Sequence, residues 1–265
     1  ALSGGPDSLA LCYFAKCYGI EKDINIFYYI VDHKLRPNSS KETNQIVVFL
    51  KKFNIKCKVL TWRGKKPTSN IQSTARESRY TLLFNQCLND KVQNILFGHH
   101  IDDLYENFFI RLLRGSGLKG LASFNETKTE RGNKINILRP FINVDKKSLT
   151  YVAKYIFNFY IKDPSNSNNI FTRVRIRKMI NNLKKEGLDN KKLILTLNNL
   201  QDSNKTINHY VDQNILLNSN FSKDKPKVIL NSRFFQEPNE IVFRSISKIL
   251  KKIGKKYYYP RGKSV

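Results

Sequence analysis

The densest set of reactive side chains lies in one short segment, Gly98-His99-His100-Ile101-Asp102-Asp103-Leu104-Tyr105-Glu106-Asn107. Asp103 and Glu106 are three residues apart, so on a helix they share one face and could together bind a cationic substrate. Asp102 or Asp103 could hold Mg²⁺ through carboxylate oxygens. Helix capping is the simpler alternative, because aspartate is common and stabilising at the start of a helix. A zinc site is disfavoured, because adjacent histidines point in different directions and no cysteine lies nearby.

A second reactive segment opens the chain, Ser3-Gly4-Gly5-Pro6-Asp7-Ser8, and an apolar stretch typical of a helix follows it. Glycines allow the backbone to turn sharply against an anion. Ser8 falls in the first helical turn, where free amides and the helix dipole attract phosphate. The segment lacks the lysine of a Walker A loop, so it predicts a different kind of phosphate site. An ordinary aspartate-capped turn is the alternative.

A third segment, Val31-Asp32-His33-Lys34-Leu35-Arg36-Pro37, follows a predicted strand. Ligands bind at the carboxyl ends of strands in open α/β sheets, so Asp32 and His33 could contact a base or hold a metal there. A loop with scattered charges explains the segment equally well.

The elements that must position these segments alternate between strand and helix up to about residue 142. Runs rich in Ile, Val, Phe or Tyr predict strands at 24–31, 56–62, 94–98 and 135–139. Apolar residues three and four apart predict helices at 7–18, 40–53, 71–88, 102–114 and 146–157. This alternation predicts an α/β fold with a doubly wound parallel sheet covered by helices on both faces.

Beyond a polar loop at 163–169 the pattern becomes mainly helical, with apolar-periodic stretches at 191–217 and 240–253. We therefore predict an α/β domain over residues 1–180 and a smaller helical domain over residues 181–265. A glycine turn such as the one at Ser3 should follow a full strand, so we expect further residues upstream. The tail at 257–263 likewise predicts further chain downstream.

The charge of the chain indicates an anionic partner. There are 47 Lys and Arg against 21 Asp and Glu in 265 residues, a formal charge of +26. Codon bias can exchange Arg for Lys but does not remove acids, and nucleic acid is the commonest anionic partner. Two basic tracts, 171–192 and 248–263, could follow an RNA backbone, although a solvated face is the alternative.

Composition also restricts the class of protein. A chain with 40% hydrophobic and 12% aromatic residues can bury a core, which excludes a wholly disordered protein. The sequence has no secretory leader and no apolar run of ~18 residues, so we predict a cytoplasmic protein without a membrane partner. Its four cysteines form no C-x-x-C pair and predict idle thiols rather than a metal ribbon or a disulfide framework.

The segment that opens the chain, Ser3 to Ser8, resembles the pyrophosphate-binding loop of the N-type ATP pyrophosphatases, or PP-loop enzymes. Members of this family cleave ATP to AMP and pyrophosphate while they activate a substrate by adenylation. The resemblance implies that Ser3, Gly4, Gly5, Pro6, Asp7 and Ser8 bind ATP, with Asp32 and His33 as further nucleotide contacts. The loop alone does not choose among the members of the family.

Other segments resemble the tRNA(Ile)-lysidine synthetases within that family. The stretch from Gly98 to Leu121 is similar to their His-His-x-Asp-Asp-x-x-Glu and Arg-Leu-Leu-Arg-Gly-Ser-Gly signature, and Val31–Arg36 to their V-D-H-x-L-R segment. Ala75–Tyr80 and Phe171–Arg177 resemble two arginine blocks, in which Arg79 and Arg173 are candidate phosphate or substrate contacts. The segments Leu138–Phe141 and Asp163–Asn166 agree as well, and the tail at 257–263 more loosely. Asn107 and Val174 depart from the pattern.

The resemblance implies a ligase that joins L-lysine to the wobble cytidine of tRNA(Ile) with a CAU anticodon. The cytidine C2 oxygen would attack the α-phosphate of ATP with the help of Mg²⁺, and the lysine ε-amine would then displace AMP. Asp103 and Glu106 would bind that amine, with Arg79 and Arg173 nearby. Two alternatives stay open at this point: another PP-loop ligase with a small acceptor, and a nucleotide-binding module without turnover. The oligomeric state, a homodimer included, is also open.

Overall fold

The computed structural model of the protein describes residues 1–35, 37–64, 71–123, 135–161, 172–222 and 226–254. These residues form two compact units. The first comprises the described residues of 1–110 and 126–187, and the second those of 111–125 and 188–265. The chain thus enters the second unit twice, at 110/111 and again at 187/188, whereas the sequence pattern predicts one boundary near residue 180. Arg36, the polar loop at 163–169, Phe171 and the tail at 257–263 lie outside the described residues.

The sheet of the first unit consists of two parallel strand pairs joined through the first two residues. β1 (Tyr28–Asp32) pairs with β2 (Cys57–Thr61), and β3 (Asn94–Leu96) pairs with β4 (Asn136–Leu138). Leu2 bridges in parallel to β1, its amide donating to the Tyr29 carbonyl at 2.7 Å, and the amino group of Ala1 donates to the Leu96 carbonyl at 3.0 Å. The chain therefore leaves the sheet between β1 and β3 and enters the loop at Ser3, where the strand order reverses.

Helices cover both faces of this sheet because successive strand residues point to opposite sides. The helices of the first unit are α1 (Pro6–Glu21), α2 (Ser39–Lys51), α3 (Ile71–Asn89), α4 (Ile101–Leu112), α6 (Lys146–Phe157) and α7 (Thr172–Lys185). On one face of the sheet, Ile30 packs in a core with Leu9, Ile46 and Phe157. The preceding residue, Tyr29, packs on the opposite face of the sheet against residues of α3. The predicted α/β fold with parallel strands and a helical C-terminal part is confirmed.

The second unit is mainly helical. It contains α5 (Leu118–Ala122), α8 (Asn190–Asn218), a hairpin of β5 (Ser219–Phe221) and β6 (Val228–Leu230), a 3₁₀ turn (Ser232–Phe235) and α9 (Asn239–Ile253). The second half of the predicted signature, which begins at Arg111, contains the last residues of α4 and the whole of α5. The Arg111 guanidinium donates hydrogen bonds to the Gly120 carbonyl and the Ser123 hydroxyl. No helix in the described ranges is long and apolar enough to cross a membrane.

Candidate functional site

The loop from Ser3 to Ser8 is built as a turn into the N-terminus of α1. Gly4 has φ +79°, and a β-carbon there would lie 2.2 Å from Ile46 Cδ1, so the position requires glycine. The Ser8 hydroxyl donates to the Gly5 carbonyl at 3.0 Å and accepts from the Ser3 amide at 3.2 Å. Ser8 thereby ties both sides of the turn together, and the first-turn amides of α1 make this end of the helix attractive to an anion.

Gly98 brings the histidine and aspartate segment against this loop. A β-carbon on Gly98 would lie 2.9 Å from the Asp7 carbonyl oxygen and 3.4 Å from the Ser8 amide nitrogen. Only a residue without a side chain allows β3 to end this close to the backbone of the loop. The sequence analysis assigned no role to Gly98, because its strand-end position gave no sign of which backbone lies beside it.

His100 joins the two segments through carboxylates. Its Nε2 lies 3.5 Å from Asp7 and 3.6 Å from Asp103, and its Nδ1 lies 3.6 Å from Asp102. Burial acts to lower the pKa of His100, but the hydrogen bond to Asp7 and the charges of Asp103 and Asp7 outweigh it, so the pKa is raised. The three aspartates therefore surround one buried imidazole and raise its pKa.

Asp103 also caps α4, since its carboxylate accepts from the His100 backbone amide at 3.1 Å. This is the N3-to-N-cap half of a capping box. Helix capping, the simpler alternative in the sequence analysis, is therefore one of the contacts that Asp103 makes. This contact holds its carboxylate beside His100 and the loop.

Glu106 is the most deeply buried acid of the cluster, with 2% of its surface exposed. Arg177 Nε donates to Glu106 Oε1 at 2.5 Å, and Arg173 Nε lies 3.9 Å from Oε2, which is buried without a hydrogen-bond partner among the described residues. The structure thus brings the predicted Arg173 to Glu106. The structure also places Arg177, to which the sequence analysis gave no role, against Glu106. The signal was present in the sequence, because Arg173 and Arg177 are four residues apart and therefore lie on one helix face.

Asp102 faces a cavity of about 660 Å³ in the first unit. Its carboxylate accepts from Lys184 Nζ at 3.2 Å and from the Lys146 backbone amide at 3.3 Å. The Lys184 ammonium also lies 4.7 Å from the centre of the Tyr105 ring. The ammonium group of Lys184 is therefore an ion-pair partner of Asp102, a carboxylate that the sequence predicts to belong to the site.

Asp32 and His33 lie where the sequence predicts, at the end of β1. The Asp32 carboxylate accepts from Ser40 Oγ at 2.6 Å and from the Lys34 amide at 3.0 Å, and these bonds outweigh the opposing effect of burial, so its pKa is lowered. Burial, with a smaller effect of the Arg79 charge, lowers the pKa of His33 to about 4. Asp32 thus holds the loop between β1 and α2, and His33 is a neutral ring near Arg79.

Basic side chains gather around His99. Burial, followed by the charges of Arg139, Arg76 and Arg79, lowers the pKa of His99 to about 4, against the opposing pull of Asp103. Arg139 Nε donates to His99 Nδ1 at 3.3 Å, which requires that nitrogen to be unprotonated. Burial also lowers the pKa of the Arg79 guanidinium, whose Nε has no hydrogen-bond partner among the described residues. A cluster of cations next to neutral imidazoles suits an anion.

The carboxylates of the site fit a magnesium ion that shares its coordination with a substrate. Magnesium is usually bound by one or two carboxylates together with phosphate oxygens. Within the described residues, no group of three or more His, Cys, Asp and Glu is arranged to hold a metal ion by itself. Asp7 Oδ1, however, is buried and lacks a hydrogen-bond partner there. The sequence analysis named Asp102 and Asp103 for this ion, and Asp7, which it placed only in the loop, is a further candidate.

The model of the PP-loop domain matches residues 1–184 of this chain. The chain belongs to the PP-loop family. Among solved structures, its fold is similar to that of the U34-tRNA thiolase NcsA from Methanococcus maripaludis, solved with its 4Fe–4S cluster, at a TM-score of 0.64. The two are 20% identical, and the likeness covers 76% of this chain and 71% of the thiolase, which supports the shared fold.

Curated relatives carry the more specific resemblance. The tRNA(Ile)-lysidine synthase of Orientia tsutsugamushi (strain Boryong) is 37% identical over 183 residues, 69% of this chain and 41% of that protein. The synthase of Wolbachia pipientis wMel is 31% identical over 267 residues, 100% of this chain and 62% of that protein. These relatives confirm the resemblance predicted from the motifs. The chain spans about 40 to 60% of the lengths of these two proteins.

Proposed function

We propose that this chain carries the catalytic part of a tRNA(Ile)-lysidine synthetase, a ligase that joins lysine to the wobble cytidine of an isoleucine tRNA and converts ATP to AMP and pyrophosphate. The observation that carries the proposal is the contact of Gly98 and His100 with the loop. It places Asp102 and Asp103 beside a loop of the PP-loop type, and Glu106 follows them on α4, so that Asp103 and Glu106 suit an ammonium group. The named relatives, tRNA(Ile)-lysidine synthases, support the choice of lysine and tRNA.

In the first step the loop from Ser3 to Ser8 binds the pyrophosphate that leaves when the cytidine C2 oxygen attacks the α-phosphate. Backbone amides at the start of α1 stabilise negative charge that grows on this leaving group. Asp7, with Asp102 or Asp103, would hold magnesium, which offsets phosphate charge when bound. The basic cluster of Arg79, His33 and His99 suits a phosphate group, since its imidazoles stay neutral and its guanidinium stays charged.

In the second step Asp103 and Glu106 bind the lysine ε-ammonium, and one of them accepts the proton that must leave before nitrogen can attack C2. Glu106 Oε2, buried and without a hydrogen-bond partner among the described residues, is the acceptor that suits this role. Arg177 and Arg173 compensate the buried charge of Glu106 and hold the carboxylate in place. AMP then leaves as the carbon–nitrogen bond forms.

The test is incubation of the chain with ATP, labelled lysine and individual tRNA transcripts. We expect label in tRNA(Ile) with a CAU anticodon, and none in the same tRNA with U at the wobble position, because the 4-amino group of cytidine donates electrons through the ring to the C2 oxygen that attacks, whereas uridine has a carbonyl at C4. Pyrophosphate release with a small-molecule acceptor and no tRNA would favour another PP-loop ligase. ATP binding without pyrophosphate release under every acceptor would show a binding module without turnover.

A further inference from the structure

One face of helix α6 is exposed and carries two tyrosines. Tyr151 and Tyr155 are 68% and 76% exposed, and their rings stack with centroids 5.9 Å apart and planes 15° from parallel. Lys147 and Lys154 are exposed on the same helix. Spacings of four and seven residues place these four side chains on one side, which we call the tyrosine–lysine face. The helix turns its apolar side inward, where Leu149, Ala153 and Phe157 are buried.

The tyrosine–lysine face borders the cavity that contains the acids of the site. Tyr151 and Lys154 line one side of that cavity, and Asp102, Glu106 and Arg177 line another. All of these residues belong to the first unit. A volume of about 660 Å³ is within the range of ligand pockets, roughly 300 to 1,000 Å³. A group that rests on Tyr151 is therefore at the mouth of the space that leads to the carboxylates.

We infer that the tyrosine–lysine face binds unpaired nucleotides of the tRNA on either side of the base that reacts, an inference that rests on the proposed function. Bases would stack on the rings of Tyr151 and Tyr155, while Lys147 and Lys154 contact the phosphates between them. Single-stranded nucleic acid is bound in this way, by aromatic rings interleaved with cations. RNA bases must be unstacked from one another before they can be recognised, and exposed rings replace the lost stacking.

The chemistry of the face favours RNA over a protein or a lipid surface. α6 contains three lysines and no acid, and the chain has a formal charge of +26. The exposed apolar area is aromatic and planar, and aliphatic residues of the helix lie on its buried side. A planar, electron-rich surface flanked by cations matches a base between two phosphates. An amphipathic helix on a bilayer would instead expose its aliphatic face.

The binding experiment uses the full chain and two RNA probes, an anticodon stem–loop and the same hairpin whose loop bases are paired with a short complementary strand. Tyr151→Ala and Tyr155→Ala should each weaken stem–loop affinity about tenfold, whereas Phe at either position should keep it within about twofold, because Phe keeps the ring. The blocked hairpin should lose this dependence. Tyr18→Ala, an exposed tyrosine on α1, is the matched control and should change neither affinity.

A salt titration tests the lysines of the face. Lys147→Ala and Lys154→Ala should each flatten the log–log slope of affinity against salt by about 0.7, the value for one released counterion on a single strand. Lys22→Ala, an exposed lysine paired with Glu21 at 2.9 Å, should leave the slope unchanged. Thermal unfolding checks that every variant is folded, and ATP affinity should be the same in all of them.

The outcomes separate this inference from the proposed function. Equal stem–loop affinity of wild type and a Tyr151→Ala/Tyr155→Ala double variant would overturn the inference, even if the chain labels tRNA with lysine. Loss of binding to anionic vesicles, with RNA affinity retained, would also overturn it and assign the face to a membrane. Tyrosine-dependent binding of the stem–loop by a chain that labels no tRNA would leave the inference standing and remove the proposed function.

Discussion

The carboxylate of Glu106 depends on two arginines from α7. It is 2% exposed, and Arg177 and Arg173 are its ion-pair partners at 2.5 and 3.9 Å. Removal of one partner from a buried ion pair costs on the order of 3–5 kcal/mol, because a charge is left without compensation. A substrate ammonium at Oε2 would add a third cation to a carboxylate that is already held in position, so binding would need little rearrangement of the acid.

Glu106→Gln separates the two chemical steps if Glu106 serves the amino acid. The amide can still hydrogen-bond an ammonium but neither attracts its charge nor accepts its proton at neutral pH. We expect tRNA-dependent pyrophosphate release to continue, while lysine transfer slows by about 100-fold or more and needs a higher lysine concentration. Single-turnover release of pyrophosphate and of AMP from the same reaction measures both steps.

The controls for this variant use other acids of the chain. Glu77→Gln changes an exposed acid of α3 and should affect neither step. Asp102→Asn should fail at pyrophosphate release if Asp102 holds magnesium. An equal loss of both steps in Glu106→Gln, with no change in lysine requirement, would place the glutamate at ATP and contradict the division of roles.

Gly98→Ala tests whether contact between the strand end and the loop sets the site. The new β-carbon would lie 2.9 Å from the Asp7 carbonyl oxygen, so the loop or β3 must move. Overpacking of this kind costs about 1–3 kcal/mol of unfolding free energy, and we expect pyrophosphate release to fall sharply as Asp7 and Ser8 shift. Gly117→Ala is the matched control, since nothing lies within 4 Å of a β-carbon there. Normal turnover by a folded Gly98→Ala protein would contradict this account of the loop.

At the scale of elements, the long periodic segments were predictable, as were the short strands β3 and β4, whereas the short elements of the second unit were not. α6 has the predicted bounds, 146–157, whereas α8 extends one residue beyond the prediction at each end and α9 begins one residue earlier than predicted. The hairpin of β5 and β6 was missed, because strands of three residues with sequences such as Ser-Asn-Phe carry too little periodicity to identify. α5 was missed for the same reason of length.

Only those residues of the candidate site that are close together in the sequence could be predicted from it. The loop and the acidic cluster are contiguous in sequence, so their residue types and spacing were visible. Arg177, Lys184 and Lys146 reach the acids from α6 and α7, far along the chain. Such pairs depend on how helices pack against the sheet, which no local pattern specifies. The resemblance supplied Arg173, and the packing of α7 explains why it belongs beside Glu106.

Two helices begin at aspartates whose caps predict measurable stabilisation. Asp145 accepts from the Ser148 amide at 2.9 Å at the start of α6, and Asp189 accepts from the Lys192 amide at 2.8 Å at the start of α8. Alanine at either position should cost about 1 kcal/mol of local stability. Amide hydrogen exchange should rise in the first turn of α6 for Asp145→Ala and of α8 for Asp189→Ala. Asn at each position retains the cap, and equal exchange in the Ala and Asn variants would contradict the assignment.

At the scale of the whole molecule, charge and catalysis place opposite demands on the fold. A formal charge of +26 repels itself in the compact state, yet it would favour the proposed RNA partner by counterion release. The acids of the site are the exception, because Asp102, Asp103 and Glu106 lie close together within a basic protein. Lysines and arginines of the first unit offset them, which keeps the cluster stable before any substrate arrives.

Two half-buried histidines with lowered pKa values predict that stability falls in mild acid. The pKa of His33 and of His99 is lowered to about 4, chiefly by burial, whereas histidine in an unfolded chain titrates near 6.5. Below about pH 6.5 the unfolded state therefore binds protons at these two histidines and the folded state does not. The unfolding free energy consequently decreases as the pH falls from about 6.5 to about 4. His100 has the opposite sign, because its raised pKa adds stability below about pH 6.5 that is lost as pH rises through the folded pKa. With two histidines against one, we expect a net loss on the order of 1–3 kcal/mol between about pH 6.5 and pH 4.

Urea unfolding at about pH 7 and about pH 5 measures this loss. His99→Gln removes one titrating ring while its amide can still accept from Arg139, so the difference between the two pH values should shrink. His209→Gln changes an exposed histidine of α8 and should leave the difference as it is in the wild type. The carboxylates with lowered pKa values, such as Asp32, lose their contribution only below about pH 4, so they fall outside this window. An unfolding free energy that rises from pH 7 to pH 5 in the wild type but not in His99→Gln would mean that the imidazole beside Arg139 is protonated in the folded protein, and the neutral anion site built around it would have to be abandoned.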